Sequence, residues 1–247
     1  MIKGIYTSEA SMRPKMTRME VIANNLANIN STGFKRDRVF IEMLKESGAP
    51  SSDGRSDLTG TNVRRVVDLA PGSLQPTNNP FDLALEGTGF FAVETPNGLR
   101  LTRNGHFKLG TDGSLVTAEG FHVQGENGNV VVPSIDKHQQ GNITINEAGE
   151  VLADREPLTR LRIVTVADPD QLQKDHESLL IPGPDQIPVN VPQDQLHVRQ
   201  GFLEESNVDA IEEMTAMIEI SRSFETDQKI IQSQDATLDR SMDIGRV

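Results

Sequence analysis

The residues of this chain that could do chemistry are five histidines, a few paired carboxylates and one glycine-rich run. His106, His122, His138, His176 and His197 are dispersed, with no i, i+4 pair and no carboxylate at helical metal spacing, so each reads as a surface or turn residue rather than a ligand. Glu204-Glu205 and Glu212-Glu213 offer adjacent carboxylates, but acids at a helix start are accounted for by the helix dipole. Glu86-Gly87-Thr88-Gly89 lacks the third glycine and following helix of a dinucleotide fingerprint, and no Gly-x-x-x-x-Gly-Lys phosphate loop occurs. Asp168-Pro169-Asp170 begins like a calcium loop, yet Leu179 stands at the twelfth position, where a bidentate Glu is required. The absence of cysteine excludes disulfides, thiol nucleophiles and zinc-thiolate or iron-sulfur sites. The expectation is a protein with no catalytic residues, no cofactor, no metal and no small-molecule substrate.

Bulk composition narrows the partners. Lys+Arg 24 against Asp+Glu 36 gives a net charge of -12, which repels phosphate backbones, and 4% aromatics with no Trp leave few stacking platforms for bases. Nucleic acid is therefore excluded as a partner. No window approaches the roughly 18 apolar residues of a membrane span, and Met1-Ile-Lys-Gly-Ile-Tyr opens without an apolar signal region, so neither membrane insertion nor a cleaved signal peptide is expected. At 247 residues the chain suits one sizeable core with appended structure.

The elements come from the apolar period. Ile5, Ser8, Met12, Lys15, Met19, Ile22, Leu26 and Ile29 alternate at three and four, a helical seam of the coiled-coil type. Pro14 interrupts it, which puts the start of regular helix near Ser11 to Pro14, and Gly33 is the expected left-handed terminator. Ala210, Met214, Met217, Ser221, Phe224, Gln228, Ile231, Asp235, Leu238 and Met242 repeat the alternation and predict a helix over 207–243, with Ser206 or Asn207 as N-cap. Residues 1–47 carry a net +3 and residues 201–247 a net -7, so the two helices suit each other as partners. Between them the period changes. Ser-Gly-Ala-Pro-Ser-Ser-Asp-Gly at 47–54 reads as linker, and Pro96-Asn97-Gly98, Arg103-Asn104-Gly105, Thr111-Asp112-Gly113 and Glu126-Asn127-Gly128 read as hairpin turns.

The predicted fold class is α+β, mainly β with terminal α: an all-β central domain of hairpins flanked by N- and C-terminal coiled-coil helices that pack together. Residues 1–33 and 207–247 form the helical domain, 34–70 an extended connection and 71–206 the β-rich outer domain. A homo-oligomeric, coiled-coil-tethered surface binding module is one function that suits this architecture.

Three segments stand out. The first is Ala23-Asn24-Asn25-Leu26-Ala27-Asn28 followed by Thr32-Gly33-Phe34-Lys35. The second runs from Thr77 through Asp82-Leu83-Ala84-Leu85-Glu86-Gly87-Thr88-Gly89-Phe90-Phe91, with Leu101-Thr102-Arg103-Asn104-Gly105 and Asp112-Gly113-Ser114-Leu115-Val116-Thr117 after it. The third is Gly201-Phe202-Leu203-Glu204-Glu205-Ser206-Asn207-Val208.

In this order the three resemble the bacterial flagellar rod and hook family of axial proteins, over residues 1–40, 71–152 and 198–240. The total length and the short region between Phe40 and Pro71 look like the proximal-rod branch more than the distal-rod branch. The resemblance implies a structural subunit that assembles helically, with itself and other rod proteins, into the drive shaft between motor and hook. It further implies a place in the periplasmic part of the basal body, reached through the flagellar type III export apparatus without a cleaved signal. In that role Met12, Met19, Ile22, Leu26, Met214, Met217, Phe224, Ile231 and Leu238 would carry helix packing, and Asn24, Asn25 and Asn28 would set register. Asp82, Gly87, Gly89, Phe90, Phe91, Thr102, Arg103, Gly105, Glu204, Ser206 and Asn207 match the family's core motifs. Terminal helices with so few seam side chains are expected to be frayed in the free monomer and ordered on assembly.

Overall fold

The computed structural model describes residues 2–43, 61–132, 143–175, 178–184 and 186–244. Among them the fold is α+β, many short strands between two long helices, α1 (Ile2–Ala27) and α2 (Ala210–Ile244). Packing divides the chain into a helical unit, Met1–Ala27, Asp37–Val66 and Asp209–Val247, and a β unit, Asn28–Arg36 and Val67–Val208.

In the helical unit α1 continues through Pro14, earlier than the start expected near Ser11 to Pro14. An interior proline costs one helical hydrogen bond, about 3 kcal/mol. Here Pro14 is buried, lining a cleft with Ile41, Ala216 and Ile220, and the burial of its ring offsets that loss. The N-cap of α2 is Asp209, whose Oδ1 accepts from the Ile211 (2.8 Å) and Glu212 (3.0 Å) amides. Ser206 and Asn207, the expected caps, are committed elsewhere. Residues 34–70, expected as an extended connection, contain the strands Asp37–Met43 and Thr61–Val67, paired as a two-stranded sheet. The Ser-Gly-Ala-Pro run at 47–54 lies outside the described residues.

In the β unit a ten-stranded sheet grows from the hairpin Phe90–Thr95 and Gly98–Thr102, in register from Phe91↔Thr102 to Thr95↔Gly98. Pro96-Asn97 closes it, and Gly98 at φ 99° opens the second strand. Glu126-Asn127 closes a second two-residue hairpin, Gly125↔Gly128, and Thr111-Asp112-Gly113 lies in the loop between Lys108–Leu109 and Leu115–Val116. Arg103-Asn104-Gly105 is not a hairpin turn. There the chain leaves the sheet and passes so close to the Leu83 carbonyl that a Cβ on Gly105 would lie 1.7 Å from its oxygen. A further strand, Ile163–Thr165, pairs with Phe90 and Phe91 on one side and with Val189–Asn190 on the other.

The two faces of this sheet bury different cores. Phe91, Phe107, Leu83, Ile163 and Val198 belong to one, and Phe90, Leu101, Val164 and Leu180 to the other. Adjacent Phe90 and Phe91 point to opposite sides, as period two requires.

Candidate functional site

The most enclosed polar chemistry described in the β unit centres on Glu204, which is 1% exposed. Lys35 Nζ donates to its Oε1 at 2.5 Å, the Gly72 amide donates to the same oxygen at 3.0 Å, and Arg103 donates to Oε2 at 3.3 Å. Lys35 also donates to the Ala70 carbonyl, and the Arg103 fork reaches the Leu85 (3.2 Å) and Gly87 (2.5 Å) carbonyls while stacking over the Phe90 ring. The Glu204 carbonyl in turn accepts from the Gly33 amide at 2.7 Å. Each of the three segments singled out in the sequence thus sends one charge to a single buried cluster.

Burial is the main force on the cations. It pulls the Lys35 ammonium below its ordinary value, with the Glu204 carboxylate pulling the other way, and it lowers Arg103 against the same opposition. A carboxylate between two cations, with a backbone amide on the same oxygen, is the arrangement in which buried charges are tolerated. It is a structural lock.

The remaining motif residues brace this lock. Gly33, read as a helix terminator, lies beyond the end of α1 at φ 66°, and a Cβ there would lie 2.3 Å from the Asn104 nitrogen. Glycine is needed for that close approach as well as for the backbone angle. Thr32 Oγ1 donates to Asn104 Oδ1 at 2.8 Å, and Thr102 Oγ1 donates to the Ser178 carbonyl at 3.0 Å. Asn207 accepts from the Arg36 amide (2.7 Å) and donates to the Asp68 and Ala70 carbonyls (2.9 Å each), and Ser206 Oγ accepts from the Val208 amide. Asp82 is buried and hydrogen-bonded to His106 Nδ1 at 2.8 Å, so His106 belongs to the motif scaffold. Gly87 and Gly89 hold φ 92° and 140°, values that favour glycine.

The helical unit has its own polar centre. Asn25 is buried, with its Oδ1 accepting from the Asp37 amide (3.0 Å) and its Nδ2 donating to the Asp37 carbonyl (3.0 Å) and to Glu213 Oε1 (3.2 Å). Its side-chain amide therefore pairs with one strand residue as a backbone neighbour would, and ties α1 to α2. Of the three asparagines expected to set register, Asn24 is exposed and Asn28 half-buried. Asn25→Ala removes these bonds and is expected to cost about 1–3 kcal/mol, read from urea unfolding of the assembled protein followed by helical circular dichroism.

On α1 the expected packing residue Ile22 is buried, while Met12, Met19 and Leu26 are half-buried. On α2 Met217, Phe224 and Ile231 are half-buried, Met214 is 51% exposed, and the Leu238 side chain lies outside the described residues. The inward stripe of α2 runs Glu213, Met217, Ile220, Phe224, Asp227, Ile231. The alternation of three and four is as expected, but every second position lies one residue earlier. The cause is polar: Glu213 and Asp227 face inward because Asn25 and Lys15 supply partners there, the latter at 2.6 Å. Lys35, Glu213, Val21 and Ile220 carry packing or charge that the apolar period alone does not single out.

Models of three families match the chain: the flagella basal body rod protein over residues 5–35, the flagellar hook protein FlgE/F/G D1 domain over 84–153, and the C-terminal region of the flagellar basal body rod FlgEFG proteins over 199–244. The flagellar basal-body rod protein FlgG of Bacillus subtilis is 32% identical over 100% of both chains. The chain belongs to the flagellar basal-body rod protein family. The rod protein FlgF of Caulobacter vibrioides is 32% identical over 98% of this chain and 96% of its own, and the hook-basal body complex protein FlhO of Bacillus subtilis is 29% identical over 100% of both. In this rod-family chain Lys35, Arg103 and Glu204 fall one in each matched segment, so the buried cluster joins all three.

Proposed function

We propose that this protein is a structural subunit of the proximal part of the flagellar rod, assembling helically with rod proteins into the drive shaft. Membership of the rod family carries the subunit role and the location in the flagellar basal body. It also displaces the closed surface binding module as a reading. Chain length supports the proximal branch. The alignment with FlgG of Bacillus subtilis is 267 positions long, at least 20 more than the 247 residues of this chain, so FlgG has residues without counterpart here. The alignment with the Caulobacter FlgF runs 244 positions.

The distribution of exposed apolar side chains supports assembly through the helical unit. Met16, Phe40, Ile41, Ile211, Met214, Ile218 and Ile230 are all large, apolar, exposed and in that unit. α1 and α2 pair in coiled-coil fashion, with their outer faces left for neighbouring subunits, while the β unit forms the outer domain. A chain whose helices become ordered on assembly suits passage through the flagellar type III export apparatus, without a cleaved signal, to the periplasmic rod. The role of the protein is mechanical, and no catalysis is assigned to it.

Deleting the gene tests this reading. The expected result is loss of swimming, with basal bodies that lack hooks and in which electron microscopy finds the shaft interrupted at its proximal end. Normal swimming and intact rods would overturn it; shafts interrupted only distally would move the subunit to the distal rod.

A further inference from the structure

Three Asn-Gly pairs share one latent chemistry, and the fold gives each a different fate: Asn97-Gly98, Asn104-Gly105 and Asn127-Gly128. The carboxamide carbon of an asparagine lies within reach of the next backbone nitrogen, and glycine leaves that nitrogen unshielded by a side chain. For the nitrogen to attack, it must leave its own hydrogen bond and the carboxamide must turn towards it.

Asn104 is held against this step. Its Oδ1 accepts from Thr32 Oγ1 at 2.8 Å and from the His106 amide at 3.0 Å. Gly105 is buried, and its close approach to the Leu83 carbonyl leaves no room for a ring. Asn97 is exposed, but its turn is clamped. Thr95 Oγ1 donates to the Gly98 carbonyl at 2.8 Å, and Arg100 donates to the Asn97 carbonyl at 3.1 Å. Pro96 fixes the preceding backbone angle, and five ladder pairs stand behind the turn. Asn127 has no such restraint. It is exposed, and its side chain makes no hydrogen bond among the described residues. A Cβ on Gly128 would meet nothing within 4 Å. Two pairs, Gly125↔Gly128 and Gln124↔Asn129, and one side-chain bond between Gln124 and Asn129 hold this tip. So short a ladder frays at a far lower free energy than one of five pairs.

We propose that Asn127 is a site of spontaneous covalent modification with water as the co-reactant. The Gly128 nitrogen gives its proton to solvent base and bonds to Asn127 Cγ. The Cγ–Nδ2 bond breaks, and the nitrogen takes up a proton and leaves as ammonia. Water then adds to one of the two imide carbonyls and opens the ring, leaving an aspartate or an isoaspartate; nothing is oxidised or reduced. Either product adds one negative charge beside Glu126, whose carboxylate lies 3.5 Å from Arg160. The isoaspartate also adds a methylene to the backbone, which a two-residue turn cannot hold in register. One hairpin tip of the β unit thus undergoes a slow, irreversible change of charge and shape, while buried Val130 keeps the core closed behind it. This chemistry is independent of the rod reading.

The full-length chain, folded or in urea, is incubated in mildly alkaline buffer, and peptides from it are separated and weighed by mass spectrometry. The gain in mass from amide to acid gives the rate at each asparagine, and retention resolves the two products. In urea the three asparagines should convert at similar rates. In the folded chain Asn127 is expected to convert about tenfold faster than Asn97, with Asn104 unchanged. Thr95→Ala together with Arg100→Ala removes the clamp and should bring Asn97 towards the rate of Asn127. Conversion of Asn97 ahead of Asn127, or of all three at one rate in the folded chain, would overturn the assignment. So would a folded chain in which Asn127 keeps its amide while urea converts it.

Discussion

Replacing Glu204 by alanine is expected to destabilise the β unit by about 3–5 kcal/mol, the cost of leaving buried charges without their partner. Two cations are affected at once, because Lys35 and Arg103 both close on this carboxylate, and the Gly72 amide loses its acceptor as well. The urea midpoint of the β unit reports the loss. Two further variants separate charge from packing. Glu204→Gln keeps the shape and removes the charge, and should fall between wild type and alanine. A triple variant, Lys35→Met, Arg103→Met and Glu204→Leu, removes all three charges together and should recover much of the stability lost in the alanine variant, since apolar replacement of a whole buried ion cluster is often close to neutral. If the single and triple variants are equally unstable, the cluster acts through packing alone.

Phe91→Ala is expected to cost a further independent 3–5 kcal/mol, the range for a fully buried aromatic. The ring is 0% exposed and meets Phe107 edge to face, with centroids 5.1 Å apart. Its backbone sits at the crossing of the sheet, opposite Thr102 on one side and Ile163 on the other, so no neighbouring strand can move in to fill the void. For a chain of this size the loss corresponds to a fall of about 6–20 °C in the melting temperature of the β unit, read by calorimetry. Phe91→Leu, which keeps most of the apolar volume, should recover more than half of it. A fall of under 2 °C for the alanine variant would mean that this side of the sheet is not the core described.

The contrast between these positions shows what the amino-acid sequence could convey. Phe90 and Phe91 were singled out through the family motif, and that they serve opposite cores follows from strand alternation once the strand is placed. The Asn97-Gly98 and Asn127-Gly128 turns were legible because positive φ selects glycine locally. The Glu204 cluster was not, although each member sat inside a segment already singled out. Its geometry joins residues 35, 103 and 204, and no local period relates positions so far apart. Gly33 was legible in part: its type announced the left-handed backbone angle, whereas the close approach to the backbone of Asn104, 71 positions away, was not legible.

The helices show a subtler limit. Apolar periodicity located α1 and α2, yet it placed Met214 inward where Glu213 lies buried, because it gives no credit to a charged side chain that has found partners. A hydrophobic seam and a mixed seam share the same alternation of three and four and differ by one residue at every second position. The asparagine run was equally ambiguous, since only the strand residue Asp37 reveals why Asn25 is the member that turns inward.

The central claim is that the segments entering and leaving the two helices, residues 28–36 and 201–208, fold as part of the β unit through Glu204, while the helices themselves depend on assembly. Native-state amide hydrogen exchange by NMR on the soluble full-length chain tests it most directly. The Gly33 and Gly72 amides, bonded to Glu204, should exchange with the same opening free energy as the sheet amide of Ala92, and the amides of α1 and α2 much faster. Gly33 and Gly72 exchanging with the helices rather than with Ala92, or helices as protected as the sheet in a monomer, would contradict the account.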